Sequence, residues 1–193
     1  MVEFERAILA GGIVLFPSDG VYGLACDPLD RVAIARIHAI KGRDDGKPSA
    51  LMYFGTETIR ELLGELGPRT SEAVGRLLPG PVTLVIANPR RRYPLACGDR
   101  PDRLGIRMIG GPLAGAACPV FQTSANRSGS PPVADLAAVD PAISAACDLV
   151  IDGGRLGGRP STVVDLAGYE DGAGWSIIRP GALDEAALRE LLD

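Results

Sequence analysis

Residues 13–25 read IVLFPSDGVYGLA. Four apolar residues run into Pro17, which has no N–H to donate to a ladder, so 13–16 is predicted as a strand that stops at the proline. A small hydroxyl, an acid and a glycine follow, and 21–25 is predicted as a second short strand. Downstream, 29–40 sets Val32, Ile34, Ala35 and Ile37 at helical spacing, and Gly42 closes the run. Strand, polar turn, strand, helix is the pattern from which the fold is read.

The chain goes on alternating in this way. Helices are predicted over 3–10, 56–64, 70–78, 113–117 and 185–192, the last capped by Asp184. Strands are predicted over 50–54, 82–87, 104–109, 120–123, 149–151, 162–166 and 175–179. Residues 90–101 read as a polar loop, and 131–146 as turns with short helices. No repeat, linker or low-complexity tract divides residues 1–193, which read as one layered αβ domain. The interleaving is not a regular βαβ series. The expected class is therefore α+β with a mixed sheet.

Composition narrows the chemistry. The net charge is -4, whereas a protein gripping a nucleic-acid backbone over a wide surface is usually basic. An anion site here has to be a local cluster. The four cysteines, Cys26, Cys97, Cys118 and Cys147, are scattered, and His38 is the only histidine. That spacing excludes a zinc finger or Cys/His cluster, and no metal ligands are expected. The opening MVEFERAILA reads as an amphipathic helix rather than a signal peptide, and no apolar run is long enough for a bilayer, so no membrane and a cytoplasmic location are expected. Of twenty basic residues eighteen are arginine. The two lysines, Lys41 and Lys47, share one loop, which points to a need for the amine itself there.

The polar residues gather where strands end. Pro17 to Leu24 is a turn able to present backbone N–H groups and Ser18 to a ligand. Lys41, Gly42, Arg43 and Lys47 place three cations within seven residues at a helix end, a charge density that a polyphosphate would balance. Asp44 and Asp45 could neutralise that loop instead. Arg103 and Arg107 are four apart in a strand, hence on one face, with Gly105 leaving space between them for a carboxylate or phosphate. Residues 122–129, QTSANRSG, offer hydroxyls and amides suited to phosphate or ribose. Residues 160–165, PSTVVD, and 177–181, IIRPG, follow the same pattern. Arg90-Arg91-Arg92 reads first as a solvated loop, with a tRNA contact as the minor reading.

Taken in order, PSDGVYGL, KGR followed by KP, PGPVTLVI, RLGIR, TSANRSG, STVVD and IIRPG resemble the YrdC-like family of threonylcarbamoyl-AMP synthases, in its short form without a further C-terminal domain. The resemblance implies a three-layer αβα fold, a twisted mixed sheet flanked by helices, with a basic concave cavity. It implies that L-threonine, bicarbonate and ATP give threonylcarbamoyl-adenylate and pyrophosphate, with Mg²⁺ accompanying ATP although no carboxylate cage stands out. The product would pass to downstream proteins that transfer the threonylcarbamoyl group to tRNA. By similarity, Arg43 and Lys47 hold the triphosphate with Lys41 alongside, and Lys41 and Arg43 are the expected catalytic pair. Ser124, Asn126 and Arg179 complete the ATP site, with Arg103 near the nucleotide. Arg107 takes the threonine carboxylate, with Ser161 near its polar end and Ser18 in the same pocket. The chain departs from common family residues at Gly20, often threonine, at Met52, histidine in longer relatives, and at Asp44, often proline. Two other classes stay open on these residues: an RNA-binding module without chemistry, and an enzyme adenylating another carbamoyl compound.

Overall fold

A computed structural model describes residues 1–44 and 46–193; Asp45, read above as one of two acids able to neutralise the cationic loop, lies outside them. The opening segment folds as its sequence dictates. Strand β1 (Val14–Pro17) ends at the proline, residues 18–21 turn, and β2 (Tyr22–Cys26) returns antiparallel with Pro17 opposite Tyr22. Helix α2 (Arg31–Lys41) follows, its first turn capped by the Asp30 carboxylate, which accepts from the N–H groups of Val32 and Ala33. Gly42 stops it at φ 58°, a left-handed position that costs glycine little.

The remaining elements are β3 (Ala50–Tyr53), α3 (Thr56–Leu63), α4 (Pro68–Leu77), β4 (Val82–Ala87), α5 (Pro94–Cys97), β5 (Arg103–Met108), β6 (Val120–Ser124), α6 (Pro141–Ala145), β7 (Leu149–Val150), β8 (Thr162–Asp165), β9 (Ser176–Arg179) and α7 (Glu185–Leu192), preceded at the N-terminus by α1 (Val2–Leu9). The strands form one sheet in the order β7-β1-β2-β6-β3-β5-β4-β8-β9. Three of its pairings are parallel (β1 with β7, β3 with β5, β4 with β8) and the rest antiparallel, so the sheet is mixed as expected. No helix among the described residues is long and apolar enough to cross a membrane.

Alternation along the strands decides which side is covered. Leu15, Leu24, Leu51, Leu84, Leu104, Ile106 and Val164 join Ile37, Ile59, Leu62, Val74, Leu77 and Leu188 in one core, so α2, α3, α4 and α7 lie over this face. The opposite face has a smaller core, in which Val14, Phe16, Ala25, Met52 and Val120 meet Phe4 and Ile8 of α1. Phe4 and Ile8 are four apart, which puts both on the inner face of that helix. The Phe4 ring lies 5.5 Å from Phe16 and 5.4 Å from Phe54, and burying it contributes roughly 2 kcal/mol. A single helix cannot span nine strands. It leaves the part of this face formed by β4, β5 and β8 open.

Two expected elements differ. Residues 113–117 form turns, not a helix: Gly115 takes φ 88° and its N–H donates to the Phe54 carbonyl at 2.7 Å, pulling the chain out of the right-handed region. Residues 90–101, expected as loop throughout, contain the one-turn helix α5, started by Pro94, whose fixed φ suits a first helical position.

Candidate active site

The open part of the sheet face is a hollow of about 380 Å³, within the range of small-ligand sites. Strand periodicity builds its floor. Arg103, Gly105 and Arg107 come from one face of β5, Thr83 and Val85 from β4, Val163 from β8 and Ala50 from β3. Val85 and Ala50 both stand opposite Gly105, so the absent side chain at the centre is what leaves the floor deep. Strand ends and loops form the walls: Arg43, Ser49, Arg100, Gln122, Thr123, Ser124, Ser161 and Arg179. Five arginines thus line one hollow, and among the described residues no carboxylate does.

Arg107 is the most enclosed of the five, at 5% exposure. It donates to the Ser18 carbonyl at 3.2 Å and the Gln122 side chain at 3.3 Å, and stands 3.5 Å from the Asp19 carboxylate. Its Nε is buried and has no partner among the described residues. Burial lowers its pKa to about 10, Asp19 opposing the shift and Arg179 adding to it. Arg103 is held by an ion pair with Asp165. Arg43 donates to the Pro48 carbonyl at 2.6 Å and reaches Thr123 Oγ1 at 3.4 Å, and its buried Nε has no partner among the described residues. Arg179 donates to the carbonyl of Ser161 at 2.7 Å and reaches its hydroxyl at 3.4 Å. Burial lowers the pKa of both Arg43 and Arg179.

Of the residues singled out from sequence, Arg43, Arg103, Arg107, Ser124, Ser161 and Arg179 meet around this hollow. Four others do not line it. Lys41 is 2% exposed, and its amine donates to the carbonyls of Ser124 and, at 2.5 Å, Asn126. The same residue accepts at its own carbonyl from the Ser128 N–H, so the end of α2 is laced to the 124–128 turn. Lys47 points outward and pairs with Asp44 at 3.3 Å. Asn126 turns its amide onto the carbonyls of Arg127 and Ser130. Ser18 is fully buried beneath the wall, its hydroxyl donating to Val21 and accepting from Gln122. Thr83, Ser49 and Arg100 were not singled out. Thr83 did carry a signal, a hydroxyl inside the apolar run PVTLVI, whereas Arg100 lies in a loop with no periodicity to read.

The sequence profile of the Sua5/YciO/YrdC family, described as Telomere recombination, matches residues 6–181. The chain belongs to this family. A threonylcarbamoyl-AMP synthase of Thiobacillus denitrificans is 37% identical over 164 residues, 81% of this chain and 86% of that protein. The crystal structure of P. abyssi Sua5 complexed with L-threonine superposes with a TM-score of 0.83 at 28% identity, over 98% of this chain and 56% of that one. The chain thus spans little more than half the length of that Sua5. E. coli YciO has the same fold, with a TM-score of 0.82 at 23% identity over 96% of this chain and 91% of that one.

Within this Sua5/YciO/YrdC chain two of the three departures noted above, Gly20 and Met52, have structural counterparts. At Gly20 the Arg159 backbone carbonyl occupies the place a β-carbon would take. Met52 is fully buried in the α1-side core, beside Arg107 in the sheet register but closed to any ligand.

Proposed function

We propose that this chain is a threonylcarbamoyl-AMP synthase that joins L-threonine, bicarbonate and ATP in the hollow on the open sheet face. The observation that carries the reading is the convergence of five arginines and several hydroxyls on one hollow, with no lining carboxylate among the described residues, in a chain whose net charge is -4. Such a site is suited to a polyanion and a carboxylate, and to little else.

The threonine amine takes up bicarbonate to give a carbamate and water. A carbamate oxygen then attacks the α-phosphorus of ATP, the bond to the bridging oxygen breaks, and pyrophosphate leaves with the negative charge. Nothing in this sequence asks for a strong general base. It asks for alignment of two anions that repel each other and for cations where charge builds up, both of which a partly buried arginine cluster supplies. Arg43 and Ser124 stand at the phosphate end, with Lys47 able to swing in from the rim. Arg103, fixed by Asp165, and Arg179 flank the nucleotide. Arg107 takes the threonine carboxylate. Lys41 acts as a positioning residue for the 124–126 turn and its Asn126, since its amine is committed to backbone carbonyls. Among the described residues no cluster of His, Cys, Asp or Glu could hold a metal. Mg²⁺ is proposed as part of the substrate, carried on the phosphates of ATP.

The cell interior, where ATP and tRNA are found, is the proposed location. Downstream proteins that move the threonylcarbamoyl group to tRNA are the proposed partners. Direct tRNA contact through residues 90–92 is disfavoured, because Arg90 and Arg92 are already paired with Glu65, and Arg92 also with Glu61. The test is pyrophosphate release from ATP with threonine or bicarbonate omitted in turn. Release is expected only with both present, and Arg43→Ala is expected to lower it about 10²-fold or more while the fold survives. Release without threonine, or sustained by carbamoyl phosphate in its place, would move the assignment to another carbamoyl substrate.

A further inference from the structure

Thr83 is a hydroxyl in a strand that otherwise presents only apolar side chains, and the mechanism above gives it no task. It is 8% exposed and lies on the hollow face of β4. Val85 stands opposite Gly105 in the β4–β5 ladder. Two residues along on the same face, that register brings Thr83 beside Arg107. On its other side its Oγ1 is 2.8 Å from the Oγ of Ser161.

The protons of this pair can be counted. Two hydroxyls carry two protons, and one is used between them. Arg179, the other neighbour of Ser161 Oγ, only donates. Whichever way the shared bond runs, one O–H is left without an acceptor among the described residues. Arg107 Nε, the neighbour across the ladder, is a buried donor in the same condition. The Arg107 guanidinium reaches toward Gln122 and the Ser18 carbonyl, so the hydroxyl pair and Arg107 border the hollow from adjoining strands, and an anionic oxygen in it would satisfy donors of both.

We propose that Thr83 is a positioning residue of the amino-acid site: coupled to Ser161, it turns one hydroxyl proton into the hollow so that the pair and Arg107 together grip a carboxylate oxygen of the bound amino acid. The role rests on the function proposed above and adds to it a residue and a proton arrangement. Removing the coupling lets the Ser161 hydroxyl rotate and costs one charge-assisted bond to the amino acid, with the nucleotide untouched.

The experiment is steady-state kinetics on the full chain, with pyrophosphate release as the readout, for Thr83→Val, Thr83→Ser, Ser161→Ala and the double variant Thr83→Val/Ser161→Ala. Valine keeps the shape and loses the hydroxyl. It is expected to raise the threonine KM about tenfold at an unchanged ATP KM. Serine is expected to return it to within about twofold of wild type, and the double variant to match Ser161→Ala alone. A Thr83→Val protein indistinguishable from wild type overturns the role, as do a serine variant as impaired as valine and equal rises in both KM values. A wild-type protein with no threonine-dependent release defeats the parent reading and this role with it; an active wild type matched by Thr83→Val defeats the role alone.

Discussion

Lys41 carries its charge into a nearly solvent-free position, at the end of α2 and against two carbonyls. Burial, with a smaller push from Arg43, lowers its pKa from 10.5 to about 8. Between those values the unfolded chain holds the proton that the folded one has lost, so this residue makes stability rise with pH, starting near pH 8. The stability of wild type relative to Lys41→Met is therefore expected to improve by about 1 kcal/mol between pH 7 and pH 9, measured by urea unfolding. Cys26 acts in the other direction: burial raises its thiol pKa, so the stability it contributes is lost at alkaline pH, but it is common to both proteins and cancels. A difference that stays flat, or shrinks with pH, would show that Lys41 is not held as described. Residue chemistry was legible in the sequence at this scale, and side-chain direction was not. Arg107 and Arg103 could be placed on one face because a strand has period two. Lys41 is the last residue of α2 and shares the buried face of Ile34 and Ile37, so helical period did bear on its burial, whereas Lys47 and Asn126 sit outside helices and strands. No periodicity fixes where such side chains point.

At the scale of elements, the 18–21 turn and the 152–161 segment are built against each other. The Gly158 N–H donates to the Gly20 carbonyl at 2.7 Å, Tyr22 Oη accepts from the Gly153 N–H at 2.9 Å, and Arg159 donates to the Gly181 carbonyl at 3.0 Å. Any side chain at Gly20 must displace the Arg159 carbonyl, which is backbone and cannot rotate away. Gly20→Thr, although it installs the residue common in the family, is expected to lower stability by about 2 kcal/mol, read as a drop in Tm. A threonine variant with an unchanged Tm would mean that the segment yields freely. Most strands and helices could be read locally, from apolar runs and from caps such as Asp30. The strand order could not. Strand β6 inserts between β2 and β3, and β3 pairs with β5 across three helices and a strand. Those choices are set by long-range packing of the two cores, which leaves no local trace. The failed helix at 113–117 is the converse case, where Gly115 overrode an apolar pattern.

For the molecule as a whole, the distribution of helices makes the site. Four helices of the main layer cover one face of the sheet, α1 covers a corner of the other, and what remains open collects the strand-borne arginines. An acidic chain can thus hold a strongly cationic hollow, because the charge is local. For the proposed reaction that hollow has to take an adenine nucleotide and an amino acid at once. The most direct measurement is a crystal structure of the protein with L-threonine and a non-hydrolysable ATP analogue bound together. The expected result is both ligands in the one hollow, with the threonine carboxylate on Arg107 and the phosphates against Arg43. Ligands bound elsewhere on the surface, or a nucleotide that excludes threonine from the hollow, would contradict it.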